Sequence, residues 1–329
     1  MLDKNAPLST LAAVTKAFVL GAGLGTRLHP LTEQLPKPLI PVFGRPLISY
    51  AFEHLASAGV REFVVNTHHL AEEYDRLFPD LRHGEAPITF RHEPVLLETG
   101  GGIDNVADLI GGAPFLVYNG DILTDLPLAP LIQTHADSRH LVTLALRTEG
   151  AAQHIALDHA TGSVTDIRDF LGTGEEGSFQ FTGVYACDPA FLAQLRHGEK
   201  HSVIPVFLEL IKNGRLGGVV IDAGDWWDLG TREAYLDAHR DIAGSPFPRH
   251  LGRLAEAWQS STSIGSEIGE GAKIDSFSSV GGGAVIGEGS ELENSVVWPG
   301  GQVAPGAQLR RCVVRRGQFA EGKLDGQDV

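Results

Sequence analysis

Residues 20–39 read LGAGLGTRLHPLTEQLPKPL and follow a short apolar run from Ala17 to Leu20. A strand feeding straight into Gly21, Gly23 and Gly25 lets backbone N–H groups come close to an anion and line a concave nest. Two common phosphate-binding loops do not fit. A P-loop ends in Gly-Lys-Ser/Thr, and a dinucleotide fingerprint needs Gly or Ala at position 26 with a helix opening there. Position 26 is Thr, and Pro30, Pro36, Pro38 and Pro41 make the continuation an extended loop. That loop carries Arg27, a planar fork suited to phosphate oxygens, and Lys37, a compact charge.

Around this loop, short apolar runs alternate with amphipathic stretches from Lys16 to about Asp241, the pattern of an α/β domain. Strands are expected at Ala17–Leu20, Glu62–Asn66, Phe115–Tyr118, Leu141–Leu146, Phe179–Cys187 and Gly218–Asp222. Helices are expected at Leu47–Ala58, Ala71–Phe78, Pro189–Arg196, Val203–Lys212 and Arg232–Arg240. The fold class is therefore a Rossmann-like, mostly parallel sheet with helices on both faces, and ligands should bind beyond the carboxyl ends of its strands.

The period changes near residue 263. Ile268, Ile274, Val280, Ile286 and Leu292 recur every sixth residue, and after a one-residue slip Val297, Val303 and Leu309 continue the phase. Glycines follow several of them. One inward side chain per flat side, with Gly at the corners, fits a hexapeptide, left-handed parallel β-helix of two to three coils. Four segments follow: an N-terminal extension at 1–15, the α/β domain at 16–244, a proline-containing linker at 245–262 with a short helix at Leu251–Trp258, and the β-helix and tail at 263–329.

The chain has 329 residues, with 26 Lys plus Arg against 41 Asp plus Glu and a formal charge of -15. Nucleic acid or an anionic membrane surface would need a basic field, so neither is an expected partner. No apolar run reaches the length of a membrane helix. The first 15 residues lack the basic start and compact apolar core of a secretory leader. Cys187 and Cys312 stand far apart without metal-binding spacing, which indicates core thiols in a reducing, cytoplasmic setting.

Phe115–Asp121 is a buried-strand pattern that ends in a carboxylate, and hard Mg²⁺ prefers oxygen ligands. Asp228, in Trp226-Trp-Asp-Leu-Gly-Thr231, offers a second carboxylate, with Asp222 and Asp225 as alternatives nearby. His68 and His69 follow a strand as an adjacent pair, a spacing that suits loop packing better than ligation of one metal.

The segment from Gly23 to Pro38 resembles the signature of the sugar-1-phosphate nucleotidyltransferases, Gly-x-Gly-x-Arg-Leu-x-Pro-Leu-Thr followed by Pro-Lys-Pro. The similarity extends over about residues 16–242, and hexapeptide repeats also occur in that superfamily. The departure is Gly21, where the family more often has Ala, which leaves more room beside the nucleotide. The resemblance implies that an NTP and a sugar 1-phosphate give a nucleotide-sugar and pyrophosphate. Asp121 and Asp228 would hold Mg²⁺, Arg27 and Lys37 would be the catalytic cations, and Gly21, Ala22, Gly23, Gly25 and Thr26 would contact the nucleotide.

Glu93 to Gly102 (EPVLLETGGG) resembles the family's base-recognition segment, making Glu93, Glu98 and Thr99 nucleotide-binding candidates. The Leu-Glu-Thr form looks like the muramate-type uridylyltransferases, whereas a carboxylate that accepts from the guanine N1–H and amino group suits GTP. Phe181-Thr-Gly-Val-Tyr185 resembles the stretch lining the sugar, with Thr182, Gly183 and Asn119 as candidates. The family's Glu-Lys-Pro-like segment is absent, Asp166 to Gly172 standing in its place. Mannose-1-phosphate guanylyltransferase is the first expectation, uridylyl transfer to an N-acetylated sugar 1-phosphate the second, and a non-catalytic nucleotide-sugar-binding regulatory subunit the reading from another class. The β-helix would support a homo-oligomer. A hexapeptide acyltransferase is disfavoured, since such enzymes commonly use a histidine base and all 14 histidines precede residue 251.

Overall fold

The structure, a computed structural model, describes residues 14–175 and 177–329. The expected extension at 1–15 thus lies outside the described residues except at Val14 and Thr15. Apart from a small hairpin at Pro41–Val42 and Arg45–Pro46, the strands before residue 230 are β1 (Lys16–Leu20), β2 (Glu62–Thr67), β3 (Arg82–His83), β4 (Ala86–His92), β5 (Phe115–Asn119), β6 (Ile122–Thr124), β7 (Val142–Arg147), β8 (Gln153–Asp158), β9 (Ser163–Ile167), β10 (Phe179–Cys187), β11 (Leu216–Val220) and β12 (Trp226–Asp228). Ten of them form one sheet in the order β8-β9-β11-β7-β10-β5-β1-β2-β4-β3. The neighbours β1/β2, β1/β5, β2/β4 and β7/β11 are parallel. β10 runs antiparallel to both β5 and β7, so the sheet is mixed. Apolar periodicity places a strand but carries no information on its direction.

Helices cover both faces. Along β1, Ala17 and Val19 enter one core with residues of α1 (Leu47–Ser57) and α7 (Arg232–Ile242), while Phe18 enters another with α3 (Glu98–Asn105) and α6 (Ile204–Lys212). Leu116 and Tyr118 of β5 likewise face one side, and Phe115 and Val117 the other. Burial on both faces explains why these strands read as continuous apolar runs. The expected strand at Gly218–Asp222 forms two residues earlier, as β11, and the expected helix at Pro189–Arg196 is a 3₁₀ segment, Pro189–Gln194. The short helices α2 (Glu72–Leu77), α4 (Ala107–Ile110) and α5 (Ala129–Asp137) complete the layers.

From Thr262 onward the chain winds into a three-sided parallel β-helix, with two sheets of four short strands and one of three. Ile268 pairs with Ile286 and Ile274 with Leu292, a full eighteen-residue coil, whereas Val280 pairs with Val297, Ile286 with Val303 and Leu292 with Leu309, one residue fewer. The slip in the sequence pattern is therefore a tightened corner. Asn294 and Arg311 take it in left-handed backbone, at φ 44° and 49°, a conformation that Asn tolerates better than Arg.

The β-helix is docked against the α/β domain. Val296, Trp298 and Val313 belong to the same core as α1 and α7. Within the expected linker, Phe247 and Trp258 are buried, and Trp258 meets Tyr50 edge-on with centroids 4.8 Å apart. No helix among the described residues is long and apolar enough to cross a membrane.

Candidate active site

The register of the central strands fixes the mouth of the site. Leu20, the last residue of β1, is level with Asn66 on β2 and with Asn119 on β5, so the glycine loop leaves the sheet between two asparagines. Gly21 is held there tightly. Its N–H donates to Asn66 Oδ1 (2.8 Å) and its carbonyl accepts from the Tyr74 hydroxyl (2.9 Å). A Cβ on Gly21 would lie 2.6 Å from the Asn66 carbonyl oxygen and 2.9 Å from Tyr74 Oη. The space beside Gly21 thus belongs to α2 and β2 and gives no extra room to a nucleotide. Gly25, at φ 61°, turns the chain into a 3₁₀ turn, Thr26–Leu28, and its own Cβ would strike Thr32 Cγ2 at 2.8 Å. Two further 3₁₀ turns, Leu31–Glu33 and Lys37–Leu39, make up the proline-rich remainder.

Ala22, Gly23, Gly25, Thr26, Arg27 and Lys37 line one cleft of about 470 Å³ together with Asn66, Glu98, Thr99, Asn119 and Asp121. β6 and β12 pair so that Asp228 is level with Ile122, which brings Asp228 beside Asp121 although 107 positions separate them in the sequence. Lys37, only 6% exposed, points its ammonium between them, 2.8 Å from Asp121 Oδ2 and 3.4 Å from Asp228 Oδ1. Arg27 completes the ring. The space above Gly230 that a side chain would occupy is filled by its guanidinium and by Asp228, with Nη2 3.0 Å and Oδ1 3.1 Å from the ideal Cβ position.

Facing the Lys37 ammonium and the Arg27 guanidinium, the two carboxylates still present oxygen donors to the cleft, open to solvent at 40% and 46% side-chain exposure. Such donors suit a hard divalent cation whose remaining ligands come from phosphate and water. No cluster of three or more His, Cys, Asp or Glu suited to a metal occurs among the described residues, so a closed, all-protein metal cage is not the kind of site offered. Asp222 and Asp225 are engaged elsewhere, Asp222 accepting from Thr148 N and Asp225 pairing with Arg249 at 2.7 Å. His68 and His69 pack as loop residues, facing the carbonyls of Glu93 (2.7 Å) and Thr32 (2.9 Å).

On the other side, Glu98 opens α3 in left-handed backbone, φ 62°, and lines the cleft with Thr99. Glu93 does not. It is fully buried, its carboxylate accepting from Asn66 Nδ2 (2.8 Å) and Leu97 N (3.0 Å). It therefore orients Asn66, and through it Gly21, from behind the cleft. Thr182 is also buried, its hydroxyl donating to the Ala145 carbonyl (2.9 Å). Gly183, at φ 86°, leaves space that the Asn119 side chain fills, 2.9 Å from the ideal Cβ position.

Asn119 and Thr99 also border an adjoining cavity of about 230 Å³ between Leu144, Ile155, Phe181 and Phe207, with Arg168 and His154 on its wall. Tyr185 borders it too; burial raises its pKa well above the ordinary value, and its hydroxyl has no hydrogen-bond partner. Asn66, Ser202 and Gly230 line the main cleft without having been singled out in the sequence. Asn66 had a signal, since it sits at the carboxyl end of a strand. Ser202 and Gly230 had none.

The nucleotidyl transferase family model matches residues 16–245. The mannose-1-phosphate guanylyltransferase of Mycobacterium tuberculosis is 32% identical over 312 residues, covering 91% of this chain and 83% of that protein. The N-acetylmuramate alpha-1-phosphate uridylyltransferase of Caulobacter vibrioides is 34% identical over 236 residues, 69% of this chain and 96% of that one. Among solved structures, a Bacillus anthracis protein described as a glucose-1-phosphate thymidylyltransferase superposes with a TM-score of 0.62 at 17% identity, covering 72% of this chain and 99% of that chain, a likeness of fold.

Proposed function

The chain belongs to the nucleotidyl transferase family and transfers a nucleotidyl group to a sugar 1-phosphate, and from that premise we propose that Arg27, Lys37, Asp121 and Asp228 carry the reaction, with GTP and mannose 1-phosphate as the substrates. The observation behind this reading is the convergence of two cations and two carboxylates at the end of a glycine loop.

An oxygen of the sugar phosphate attacks the α-phosphorus in line, the bond to the bridging oxygen breaks, and pyrophosphate departs. No enzyme nucleophile or general base is required, because the phosphate nucleophile is already ionised, and positioning with charge neutralisation suffices. Lys37 neutralises the α-phosphate and the incoming phosphate, and Arg27 stabilises the leaving pyrophosphate. The Asp121 and Asp228 carboxylates fit Mg²⁺, which when bound would neutralise phosphate charge and orient the phosphates. The backbone of residues 22–26 cradles the triphosphate, while Gly21, whose N–H and carbonyl are taken by Asn66 and Tyr74, anchors the loop behind it.

Glu98, in the cleft, offers the acceptor that guanine N1–H and the exocyclic amino group need, and the similarity to the mycobacterial guanylyltransferase extends over both domains. A second reading, uridylyl transfer to an N-acetylated sugar 1-phosphate, is favoured by the largely apolar cavity beside Asn119 with its unpartnered Tyr185 hydroxyl. Buried free thiols at Cys187 and Cys312 agree with a reducing, cytoplasmic setting. Pyrophosphate release over four triphosphates and a panel of sugar 1-phosphates tests the substrates. The GTP and mannose 1-phosphate pair should give the highest kcat/KM, and preference for UTP with an N-acetylated sugar phosphate would overturn that choice.

A further inference from the structure

The β-helix reaches the phosphate loop directly, at a place that no catalytic residue occupies. Arg315 Nη1 donates to the Pro30 carbonyl and to Glu33 Oε2, each at 3.0 Å, and the Gln34 side chain donates to the Arg316 carbonyl at 3.2 Å. Arg316 next to it forms a two-pronged pair with Glu73, at 3.1 and 3.3 Å. These contacts are well placed to matter. Arg315 is 15% exposed and Glu73 13%, and a two-pronged guanidinium–carboxylate pair fixes direction as well as distance.

Both targets lead to the glycine nest. The turn held by Arg315 contains Thr32, whose hydroxyl donates to the Gly25 carbonyl (3.0 Å) and whose methyl limits the space beside Gly25. The helix held by Arg316 contains Tyr74, whose hydroxyl donates to the Gly21 carbonyl. Two adjacent arginines on one coil thus grip the two supports of the loop, one at its glycine entry and one at its exit.

We propose that Arg315 and Arg316 are positioning residues for the reaction: the β-helix braces the phosphate loop within the same chain, so its docking sets how well the triphosphate is held. This rests on the reading that residues 22–37 bind the triphosphate. A displacement on the order of 1 Å in a positioned group costs up to about a hundredfold in rate. For Arg315→Ala we expect kcat/KM for the triphosphate to fall between about tenfold and a hundredfold, chiefly through KM, with KM for the sugar 1-phosphate little changed.

The full-length wild type, Arg315→Ala, Arg315→Lys, Arg316→Ala and Arg310→Ala are compared by steady-state kinetics and by triphosphate titration calorimetry, with thermal melts for each. Arg310 pairs with Asp325 on the exposed side of the β-helix and should behave as wild type. Arg315→Lys, which keeps the charge toward Glu33 without the fork, should recover part of the loss. Weakened triphosphate binding by folded Arg315→Ala and Arg316→Ala supports the brace. Unchanged triphosphate KM and affinity in both variants overturn it, as does a loss shared equally by Arg310→Ala. Failure of the wild type to turn over any substrate pair would instead refute the functional reading.

Discussion

Replacing Gly21 by alanine should harm this protein. The ideal Cβ at position 21 falls 2.6 Å from the Asn66 carbonyl oxygen, 2.9 Å from Tyr74 Oη and 2.9 Å from Val65 Cγ1. The first of these is backbone of β2 at the residue level with Leu20 of β1, and cannot swing aside. Relief requires β1 and β2 to separate where the loop begins. Overpacking of this kind costs about 1–3 kcal/mol, which corresponds to a fall in Tm of several degrees for a domain of this size, at roughly 2–4 °C per kcal/mol. The same shift moves Gly23 and Gly25 relative to Lys37, so KM for the triphosphate should rise. Adding Tyr74→Phe removes one of the three close contacts along with a hydrogen bond, and should return part of the lost triphosphate affinity but little of the Tm. Thermal melts and pyrophosphate-release kinetics on Gly21→Ala, Tyr74→Phe and the double variant decide it. An alanine variant that melts within about 1 °C of wild type, with unchanged KM, would refute the reasoning.

Other substitutions separate the roles of neighbouring residues. Asp121→Asn should lose most turnover, on the order of a hundredfold or more, while its far-UV circular dichroism and Tm stay close to wild type; full Mg²⁺-dependent activity would remove Asp121 from the metal site. Asn119→Ala should raise KM for the sugar 1-phosphate, whereas Thr182→Ser, which keeps the hydroxyl that bonds Ala145, should leave it unchanged, and the reverse pattern would place the sugar contact on Thr182. His239 accepts from Phe43 N–H at Nε2 and donates from Nδ1 to the Tyr235 carbonyl, and burial lowers its pKa to about 4; burial and the neighbouring His250 lower that of His54 to about 3. Both pKa values lie below the unfolded value, so the unfolded chain binds more protons between about pH 4 and 6.5 and stability falls as pH drops through that window. Each histidine should contribute roughly 2 kcal/mol of loss between pH 6.5 and 5. A denaturant midpoint that stays flat over that interval would show that these rings are not held neutral.

Much of this was legible because local chemistry and global fold agree. The glycines, the prolines and the strand before them specify an irregular loop whatever surrounds it, and an apolar strand that ends two residues before Asp121 presents that carboxylate at the carboxyl end of the sheet. The six-residue period likewise announces a β-helix, and its slip is visible as the left-handed corners at Asn294 and Arg311. What stayed hidden depends on contacts across the chain. β8 and β9 are short and partly polar, so neither shows a clean period. α3 contains three consecutive glycines, poor helix formers, and is set by packing. Glu93 reads like an acceptor for a base, yet becomes a buried partner of Asn66 because β2 and β4 are neighbours. Thr182 reads like a sugar contact, but β10 turns its hydroxyl toward Ala145. The docking arginines, at 315 and 316, look like ordinary surface cations until the β-helix is laid against the loop.

The most direct measurement is a crystal structure with a non-hydrolysable triphosphate analogue and Mg²⁺. The triphosphate should lie along residues 22–27, with Lys37 at the α-phosphate, Arg27 at the pyrophosphate end and the ion bound to Asp121 and Asp228. A triphosphate seated away from that loop, or an ion held by neither carboxylate, would contradict this assignment.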